Sequence, residues 1–299
     1  MPNTDKPKTY TCVERLFSVF ENSECRLMFH SRYREAFGKY DNAYFGDDFS
    51  ELLKMCDSII AMGGDGTIIH AAKHAAQAGK PLLGVNVGRL GFNANLEPTE
   101  LDRAAALLRG DYHIEKRMML EISVSDCEGR LIDRCSCIND AVVSRGSASR
   151  IVDIDIVING CSKMNYRADG IVFSTPTGST AYALSAGGPV IDPSVSCIEL
   201  TPICPHSLMN RPIIFSADAE LDVTARQRNF SSGPASEVFL TVDGEKVYPL
   251  NNGETVHICR SGITADFIKI KDLGFSEVIQ QKIINNNRKV DDLENTKTV

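Results

Sequence analysis

The chain has 299 residues, a length that favours two domains, and its composition of 43% hydrophobic and 24% charged residues is typical of a globular protein. Its net charge of −7 argues against nonspecific nucleic-acid binding, which needs a basic surface. No apolar run reaches the ~18 residues that span a bilayer, and charged residues interrupt the first thirty, so we predict neither a membrane span nor a signal peptide. We expect a cytoplasmic protein with no membrane partner, whose ten cysteines are reduced core thiols.

The N-terminal part alternates helix and strand patterns, which predicts a parallel sheet covered by helices. The predicted helices are 10–22, 31–38, 49–56 with an N-cap from Asp47 or Asp48, 68–78, and one that runs from Pro98 to near Gly110. The predicted strands are 25–30, 57–62 and 81–86. Residues 1–8 are polar and loop-like, whereas sheets of this kind usually begin with a central strand. We therefore hypothesise that relatives carry a strand upstream of Met1.

From about His113 onward the pattern changes to short β-rich segments, which predicts an antiparallel β domain. The predicted strands include 118–125, 151–158, 220–225, 238–242 and 255–259. Residue pairs that accept positive φ separate them, namely Glu128-Gly129, Asn159-Gly160, Asp243-Gly244 and Asn252-Gly253. One helix interrupts this half at 179–186, and another is expected from Ser276 toward residue 284.

A glycine cluster, Gly63-Gly64-Asp65-Gly66-Thr67, stands between a predicted strand and a predicted helix. Glycines let backbone N–H groups approach phosphate oxygens, and the helix N-terminus favours negative charge. A carboxylate beside a polyanion is repelled unless it accepts a proton from an attacking hydroxyl or helps to hold a divalent cation, so Asp65 points to phosphoryl transfer. The alternative is a sharp turn in which Asp65 is only the helix N-cap. The Walker A lysine and the G-x-G-x-x-G spacing are both missing.

Two further clusters could bind a nucleotide. In the segment 169–189, a strand leads into a turn crowded with hydroxyl groups and glycine, and then into a helix of small residues, which favours an anion or a ribose. Asn139 and Asp140 lie in an apolar context, where an amide and a carboxylate need partners if they are buried. An adenine edge or ribose hydroxyls would supply them; a simple turn and a capped helix start are the alternatives.

Together these clusters resemble the NAD kinase family. The matching stretches follow the family's order between about residues 57 and 275; they are 62–67, 84–92, 139–140, 169–189, 201–208 and 211–212. The GGDGT motif alone is similar to one in diacylglycerol kinases, other lipid kinases and phosphofructokinases. The long block at 169–189 makes the resemblance specific.

The resemblance implies that the γ-phosphate of ATP is transferred to the 2′-hydroxyl of the adenosine ribose of NAD, which yields NADP and requires a divalent metal such as Mg²⁺. It identifies Asp65 as the catalytic base, with metal ligands unassigned. The residues that it implies for nucleotide binding are Gly63, Gly64, Gly66, Thr67, Asn86, Phe92, Asn139, Asp140, Arg167, Asp169, Thr177, Gly178, Thr180, Ala181, Tyr182 and Ser185. The family usually has glutamate where Asp140 stands, so this shorter side chain needs a small backbone shift or a water to reach a ribose.

The expected fold is an α/β N-terminal domain with a parallel Rossmann-like sheet, followed by an antiparallel, sandwich-like all-β domain. We expect domains at 1–112 with 271–299, the C-terminal helix returning to the first domain, and at 113–270. The active site would lie between them, in a homodimer or homotetramer built through the β domains. A lipid kinase that uses the same glycine loop and a non-catalytic NAD(H) sensor are the alternative functions, and an Asp65→Asn variant would distinguish a kinase from a sensor.

Overall fold

The computed structural model describes residues 1–3, 8–88, 91–146, 151–207, 210–226, 237–272 and 274–280. The chain divides into two compact units: unit 1 contains residues 1–115 and the described residues from 266 onward, and unit 2 contains residues 116–265. Among the described helices, none has both the length and the apolar character that a membrane crossing requires.

Strands outnumber helices among the described residues. The α-helices are α1 Lys8–Phe20, α2 Arg34–Phe37, α3 Phe49–Met55, α4 Asp65–Gln77, α5 Ala106–Arg109, α6 Tyr182–Ser185 and α7 Phe275–Ile279, and 3₁₀ helices occupy Ser31–Tyr33, Pro98–Ala105 and Gly178–Thr180. The strands are β1 Leu27–His30, β2 Ala43–Gly46, β3 Ile59–Gly63, β4 Leu82–Asn86, β5 His113–Ser125, β6 Leu131–Cys137, β7 Asp140–Arg145, β8 Val152–Ile158, β9 Ser162–Ala168, β10 Gly170–Ser174, β11 Cys197–Ile203, β12 Ile213–Ser216, β13 Leu221–Arg226, β14 Val238–Val242, β15 Lys246–Leu250 and β16 Thr255–Lys269.

Unit 1 contains the predicted parallel strands. β3 pairs with β4 over its whole length, so that Gly63 lies opposite Asn86, and the end of β16 adds a parallel pair between Phe267 and Leu82. β1 and β2 form a separate parallel pair. The apolar face of α1 and the aromatic side chains around it bury Phe17, Phe20 and Phe37 almost completely.

The chain start differs from the expected loop. Pro2 forms a parallel bridge with Met62, and the N–H of Asn3 donates to the carbonyl of Met62 at 2.9 Å. The N–H of Met62 in turn donates to the carbonyl of Met1 at 3.1 Å. The prediction of a loop was wrong here because this pairing uses only backbone groups, and the polar side chains of the segment do not prevent it.

Several local predictions for unit 1 are confirmed, and others need correction. Asp48 is the N-cap of α3, with its carboxylate accepting from the N–H groups of Ser50 at 2.7 Å and Glu51 at 3.3 Å. The predicted helix 31–38 is instead a 3₁₀ turn followed by the single turn of α2, and β2 was not predicted at all. The segment after Pro98 is mostly 3₁₀ and ends, as predicted, at Gly110 with φ +70°.

Unit 2 is the predicted antiparallel β domain. One sheet has the order β12-β11-β10-β7-β14-β15. In the other sheet β16, β13, β8 and β9 follow one another in this order, and β5 pairs with both β16 and β6. Buried side chains from both sheets form one core, which includes Ile122, Ile154, Phe173 and Leu240. Asn159-Gly160 and Asp243-Gly244 have positive φ at both positions, as their hairpin assignment requires.

Three further predictions need comment. The expected helix at 179–186 is split into the 3₁₀ helix and α6, because Ala181 between them has φ −102° and ψ −122°, outside the helical region. The expected C-terminal helix begins at Phe275 in unit 1, and its predicted continuation beyond residue 280 lies outside the described residues. All ten cysteines are free, but the expectation of core thiols is wrong for Cys127, Cys161 and Cys204, which are exposed.

Candidate active site

The glycine loop of unit 1 joins the end of β3 to the start of α4. A Cβ atom at Gly63 would lie 2.5 Å from side-chain atoms of Thr67, so the Thr67 side chain occupies the space that this glycine leaves. The Thr67 hydroxyl also accepts a hydrogen bond from Nδ2 of Asn3 at 3.1 Å. Gly66 is exposed, and a Cβ atom there would meet nothing within 4 Å. Gly63 is therefore needed for packing, whereas Gly66 lies open beside the helix N-terminus.

Asp65 links this loop to the loop that follows β4. Its Oδ2 accepts from the N–H of Phe92 at 2.8 Å and its Oδ1 from the N–H of Asn93 at 3.0 Å. A Cβ atom at Gly91 would collide with the carboxylate. The N-cap of α4 is Gly64, so the alternative interpretation of Asp65 as a mere N-cap is wrong. Each carboxylate oxygen accepts one of these backbone bonds and retains a lone pair for a proton or a ligand.

Asn86 and Phe92 shape the same edge of the sheet. Asn86 is 4% exposed, and its Oδ1 accepts from the N–H of Gly88 at 3.0 Å, which turns the chain after β4. Phe92 is partly exposed and contributes its backbone N–H to Asp65. Arg89 and Leu90, which belong to the family-like stretch, lie outside the described residues. The carboxyl ends of β3 and β4 thus bring together Gly63, Gly64, Asp65, Gly66, Thr67, Asn86 and Phe92.

In unit 2, the chain bends at Asn139 before entering β7, and the carboxylate of Asp243 holds this bend. It accepts from the N–H groups of Ile138 at 3.2 Å, Asn139 at 2.8 Å and Asp140 at 3.3 Å. Sequence reasoning treated Asp243 only as a hairpin residue. Its position before Gly244 shows the turn, but no sequence signal shows that its side chain reaches back over a hundred residues.

A second set of contacts holds the bend from the segment after β10. The N–H of Thr175 donates to the carbonyl of Asn139 at 2.9 Å, and the Thr175 hydroxyl donates to the carbonyl of Ile138. A Cβ atom at Gly178 would collide with the Asn139 carbonyl, so only glycine allows this approach. The predicted clusters at 139–140 and 169–189 therefore meet directly.

Asn139 and Asp140 bring polar side-chain atoms into the interior of unit 2, and one of these atoms lacks a hydrogen-bond partner within the described part of the chain. Oδ1 of Asn139 is buried and has no hydrogen-bond partner among the described residues. Asp140 is 5% exposed, and burial raises the pKa of its carboxyl to about 7, with the charges of Asp243 and Glu199 acting in the same direction and the backbone N–H of Tyr182 opposing them. Buried polar atoms of this kind favour a ligand that donates hydrogen bonds.

The segment 175–189 forms a closed loop above the six-stranded sheet. The Ser179 hydroxyl donates to the carbonyl of Pro176 at 2.7 Å and accepts from the N–H of Ile191 at 2.9 Å. Ala183 packs on Val142 and Val172 of the sheet. The predicted binding residues of this segment show decreasing burial along the chain: Thr177 and Gly178 are buried, Thr180 and Ala181 are half-buried, and Tyr182 and Ser185 are exposed.

Arg167 and Asp169 have different surroundings. The guanidinium of Arg145 binds the Asp169 carboxylate through two bonds, of 2.8 Å from Nε and 3.2 Å from Nη2. Arg167 is exposed on β9, with its Nε 4.0 Å from Oδ1 of Asp153. Arg145 was not singled out from the sequence, and Asp169 is therefore oriented by a residue that sequence reasoning missed.

No group of three or more histidine, cysteine or acidic side chains among the described residues is arranged to hold a metal ion. Mg²⁺ at phosphoryl-transfer sites commonly keeps several waters and is held by one or two carboxylates together with substrate phosphates. The described residues therefore provide no metal cage, and substrate phosphates would have to supply most of the ligands of such an ion.

Two family models match this chain. The model of the ATP-NAD kinase N-terminal domain matches residues 3–112, and that of the ATP-NAD kinase C-terminal domain matches residues 138–270. The NAD kinase of Desulforamulus reducens is 42% identical over 234 residues, covering 78% of this chain and 79% of that protein. The NAD kinase of Moorella thermoacetica is 35% identical over 298 residues, covering 99% and 92%.

Two solved structures are also similar. Yeast NADH kinase complexed with NADH superposes with a TM-score of 0.81 at 25% identity, covering 95% of this chain and 85% of that one. An NAD kinase from Archaeoglobus fulgidus in complex with ATP gives a TM-score of 0.63 at 26% identity, covering 84% and 97%.

Proposed function

The chain belongs to the NAD kinase family, and from that premise we propose the particular reaction and the roles of its residues. The enzyme is an NAD⁺ kinase, which transfers the γ-phosphate of ATP to the 2′-hydroxyl of the adenosine ribose of NAD and releases ADP and NADP. The observation that carries the assignment of roles is the position of the Asp65 carboxylate at the start of α4, where two backbone N–H groups from the loop after β4 hold it.

Asp65 acts as the general base. One of its free lone pairs accepts the proton of the ribose hydroxyl, while that oxygen forms a bond to the γ-phosphorus and the bond from this phosphorus to the bridging oxygen of ADP breaks. The bonds from Phe92 and Asn93 hold the carboxylate in one orientation, so little rotational freedom is lost when the substrate binds. The open backbone beside Gly66 and the N-terminus of α4 favour phosphate oxygens at the same edge.

Asn139, Asp140 and the loop 175–189 hold the dinucleotide. The unpartnered Oδ1 of Asn139 fits a donor such as the exocyclic amino group of adenine, and the Asp140 carboxyl fits ribose hydroxyls. Thr180, Ala181, Tyr182 and Ser185 line the accessible side of the loop, where Tyr182 offers an aromatic face, and the buried Thr177 begins the turn that leads to them. Asp169, oriented by Arg145, and the exposed Arg167 provide charged groups near the start of β10.

The family resemblance implies a divalent metal such as Mg²⁺. Because the described residues form no metal cage, the phosphates of ATP would supply most of its ligands, and the ion would neutralise part of their charge. We also propose a cytoplasmic location, which the ten free cysteines support because thiols stay reduced in that compartment.

The test is an assay of the purified protein with ATP, Mg²⁺ and NAD, in which an NADP-specific dehydrogenase detects the product. An Asp65→Asn variant should lose about 10² to 10⁴ in turnover because it lacks the general base, while calorimetry still detects NAD binding. Unchanged turnover in this variant would contradict the role of Asp65 and favour a binding protein that performs no transfer.

The matched control is Asp48→Asn. The Asp48 carboxylate also accepts two backbone N–H groups in unit 1, but it caps α3. Because asparagine is an equally good N-cap, we expect this variant to keep the turnover of the wild type.

A further inference from the structure

Glu199 is a carboxyl residue that the proposed reaction does not use, although it lies inside unit 2 with 0% exposure. In the sheet, Glu199 on β11 pairs with Ser174 on β10, and Ser174 pairs on its other side with Asp140 on β7. Directly paired residues of neighbouring strands share a face, so the three side chains form one row. This is the face that carries Val142 and Val172, on which α6 packs through Ala183.

The contacts of Glu199 place it directly beneath the turn that ends α6. Its Oε1 accepts from the Thr201 hydroxyl at 2.6 Å, and a Cβ atom at Gly188 would collide with the same oxygen. That Cβ would also lie 2.8 Å from Oγ1 of Thr201. The N–H of Gly188 donates to the carbonyl of Ala183 at 2.9 Å and so ties the turn to α6. Glu199 and Thr201 therefore form a floor beneath the loop 175–189.

The surroundings of Glu199 disfavour its ionised form. Its Oε2 has no hydrogen-bond partner among the described residues. Burial raises the pKa of the carboxyl, and the hydrogen bond from the Thr201 hydroxyl lowers it in part. Its cross-strand neighbours Ser174 and Ile214 carry no charge. Among the described residues no cation lowers its pKa, and a negative charge at Glu199 in turn raises the pKa of Asp140 and of the Cys197 thiol. A buried negative charge here would therefore have no compensating partner among the described residues.

We propose that Glu199 is a positioning residue which, as a neutral carboxylic acid, supports the loop 175–189 in the shape that binds the dinucleotide. This inference rests on the proposed function, since it assigns that loop to NAD. When Glu199 loses its proton, its buried charge has to be hydrated. Water then enters beneath Gly188 and separates Glu199 and Thr201 from the loop. NAD affinity then falls, while the chemistry at Asp65 in unit 1 is untouched.

The experiment compares the wild-type chain with Glu199→Gln across pH 5 to 10. The amide keeps the shape and the acceptor for Thr201 but cannot ionise. Because the pKa of Glu199 is raised, we expect the ratio of the wild-type KM and calorimetric Kd for NAD to those of Glu199→Gln to increase as the pH passes this pKa. Above it the increase should approach about tenfold per pH unit, as the fraction of protein that can bind NAD falls. Below it the two proteins should agree within about twofold in KM and should have the same kcat.

A second variant tests the same idea from the other partner. Thr201→Val removes the donor that favours the charged form of Glu199, so the rise in Kd that follows loss of its proton should move to higher pH. Asp155→Asn is the control, because Asp155 is also a buried carboxyl of unit 2 but is bound by Asn165 and Arg226; it should leave the pH profile of NAD binding unchanged.

Identical pH profiles in the wild type and Glu199→Gln, or an unshifted profile in Thr201→Val, would overturn the role of Glu199. Lower melting temperatures without any change in these profiles would mean that Glu199 only supports the fold, which also contradicts the proposal. Because calorimetry measures NAD binding without turnover, a failure to form NADP would contradict the proposed activity separately from the role of Glu199.

Discussion

At the scale of single residues, Asp65 shows how one carboxylate can combine a structural and a chemical role. Both of its oxygens accept backbone N–H groups from the loop after β4. Asparagine has one acceptor oxygen and one amino group, so an Asp65→Asn variant also places an amino group against a backbone donor. A variant that leaves the carboxylate intact but displaces its partners can separate the two roles.

Gly91→Ala is that variant. The new Cβ would collide with the Asp65 carboxylate and move it from its position, and a displacement of about 1 Å at a reacting group can cost about 10²-fold in rate. We expect kcat to fall by about that factor although the general base is present. The control is Gly262→Ala, because Gly262 is exposed and has open space around its Cβ position. Wild-type kcat in Gly91→Ala would show that the precise position of Asp65 does not matter.

Asp140 gives a pH-dependent prediction at the same scale. Its pKa is raised from 3.8 to about 7, so the native state binds this proton more tightly than the unfolded chain does. The stabilisation is therefore complete below pH 3.8 and is lost as the pH rises to about 7. Relative to the wild type, Asp140→Asn should become more stable as the pH increases from 5 to 8. Urea unfolding at both pH values measures this difference.

A ribose hydroxyl that donates to the charged Asp140 should also lower its pKa, so NAD binding near pH 7 should release protons. Calorimetry in two buffers of different ionisation enthalpy measures this release, and Asp140→Asn should lack it. Equal proton release by the variant and the wild type would assign the proton to another group.

At the scale of elements, the glycines between β3 and the first turn of α4 have different roles, one in packing and one in leaving the backbone accessible. Gly63 makes room for Thr67, whereas Gly66 is exposed and unobstructed. A single substitution, glycine to alanine, therefore tests packing at one position and ligand approach at the other. The two positions are three residues apart, and their sequence context alone does not distinguish them.

We expect Gly63→Ala to lower the free energy of unfolding by about 1–3 kcal/mol, because the methyl group overpacks against Thr67. Gly66→Ala should keep the wild-type stability but raise the KM for a nucleotide substrate, because the methyl group limits close approach to the backbone. Thermal unfolding and steady-state kinetics of both variants measure these effects. A stable Gly63→Ala, or a Gly66→Ala with normal KM values, would contradict this division.

At the scale of the whole molecule, the six-stranded sheet of unit 2 ends in two edge strands, β12 and β15. Each carries an exposed aliphatic side chain, Ile214 at 47% and Val247 at 59%. Exposed edges of this kind are places where a second copy of a chain can pair or pack.

We expect the protein to form a homodimer or homotetramer through its β domain. Light scattering should then give two or four times the chain mass of 32.8 kDa. Where β15 or β12 forms the contact between subunits, the substitution Val247→Lys or Ile214→Lys on that strand should reduce the measured mass, because an added charge disfavours strand pairing. A monomer at micromolar concentration would contradict the expectation.

The sequence alone predicted the elements whose signals are local. Hydrophobic periodicity placed most strands and helices, Asp48 marked the start of α3, and Asn159-Gly160 and Asp243-Gly244 marked hairpins, because backbone preferences of adjacent residues suffice for these features. The resemblance carried by 62–67 and 169–189 was sufficient to predict the family, which the comparisons confirm.

Tertiary structure alone decided how distant residues meet. The sequence contains no sign that Asp243 holds the bend at Asn139, that Arg145 binds Asp169, or that Glu199 is buried beneath Gly188. These contacts depend on strand order and register, which bring together residues up to about a hundred positions apart. Local pattern specifies the state of each segment, whereas the environment of a side chain, and hence its charge and its role, is set by whatever the fold packs against it.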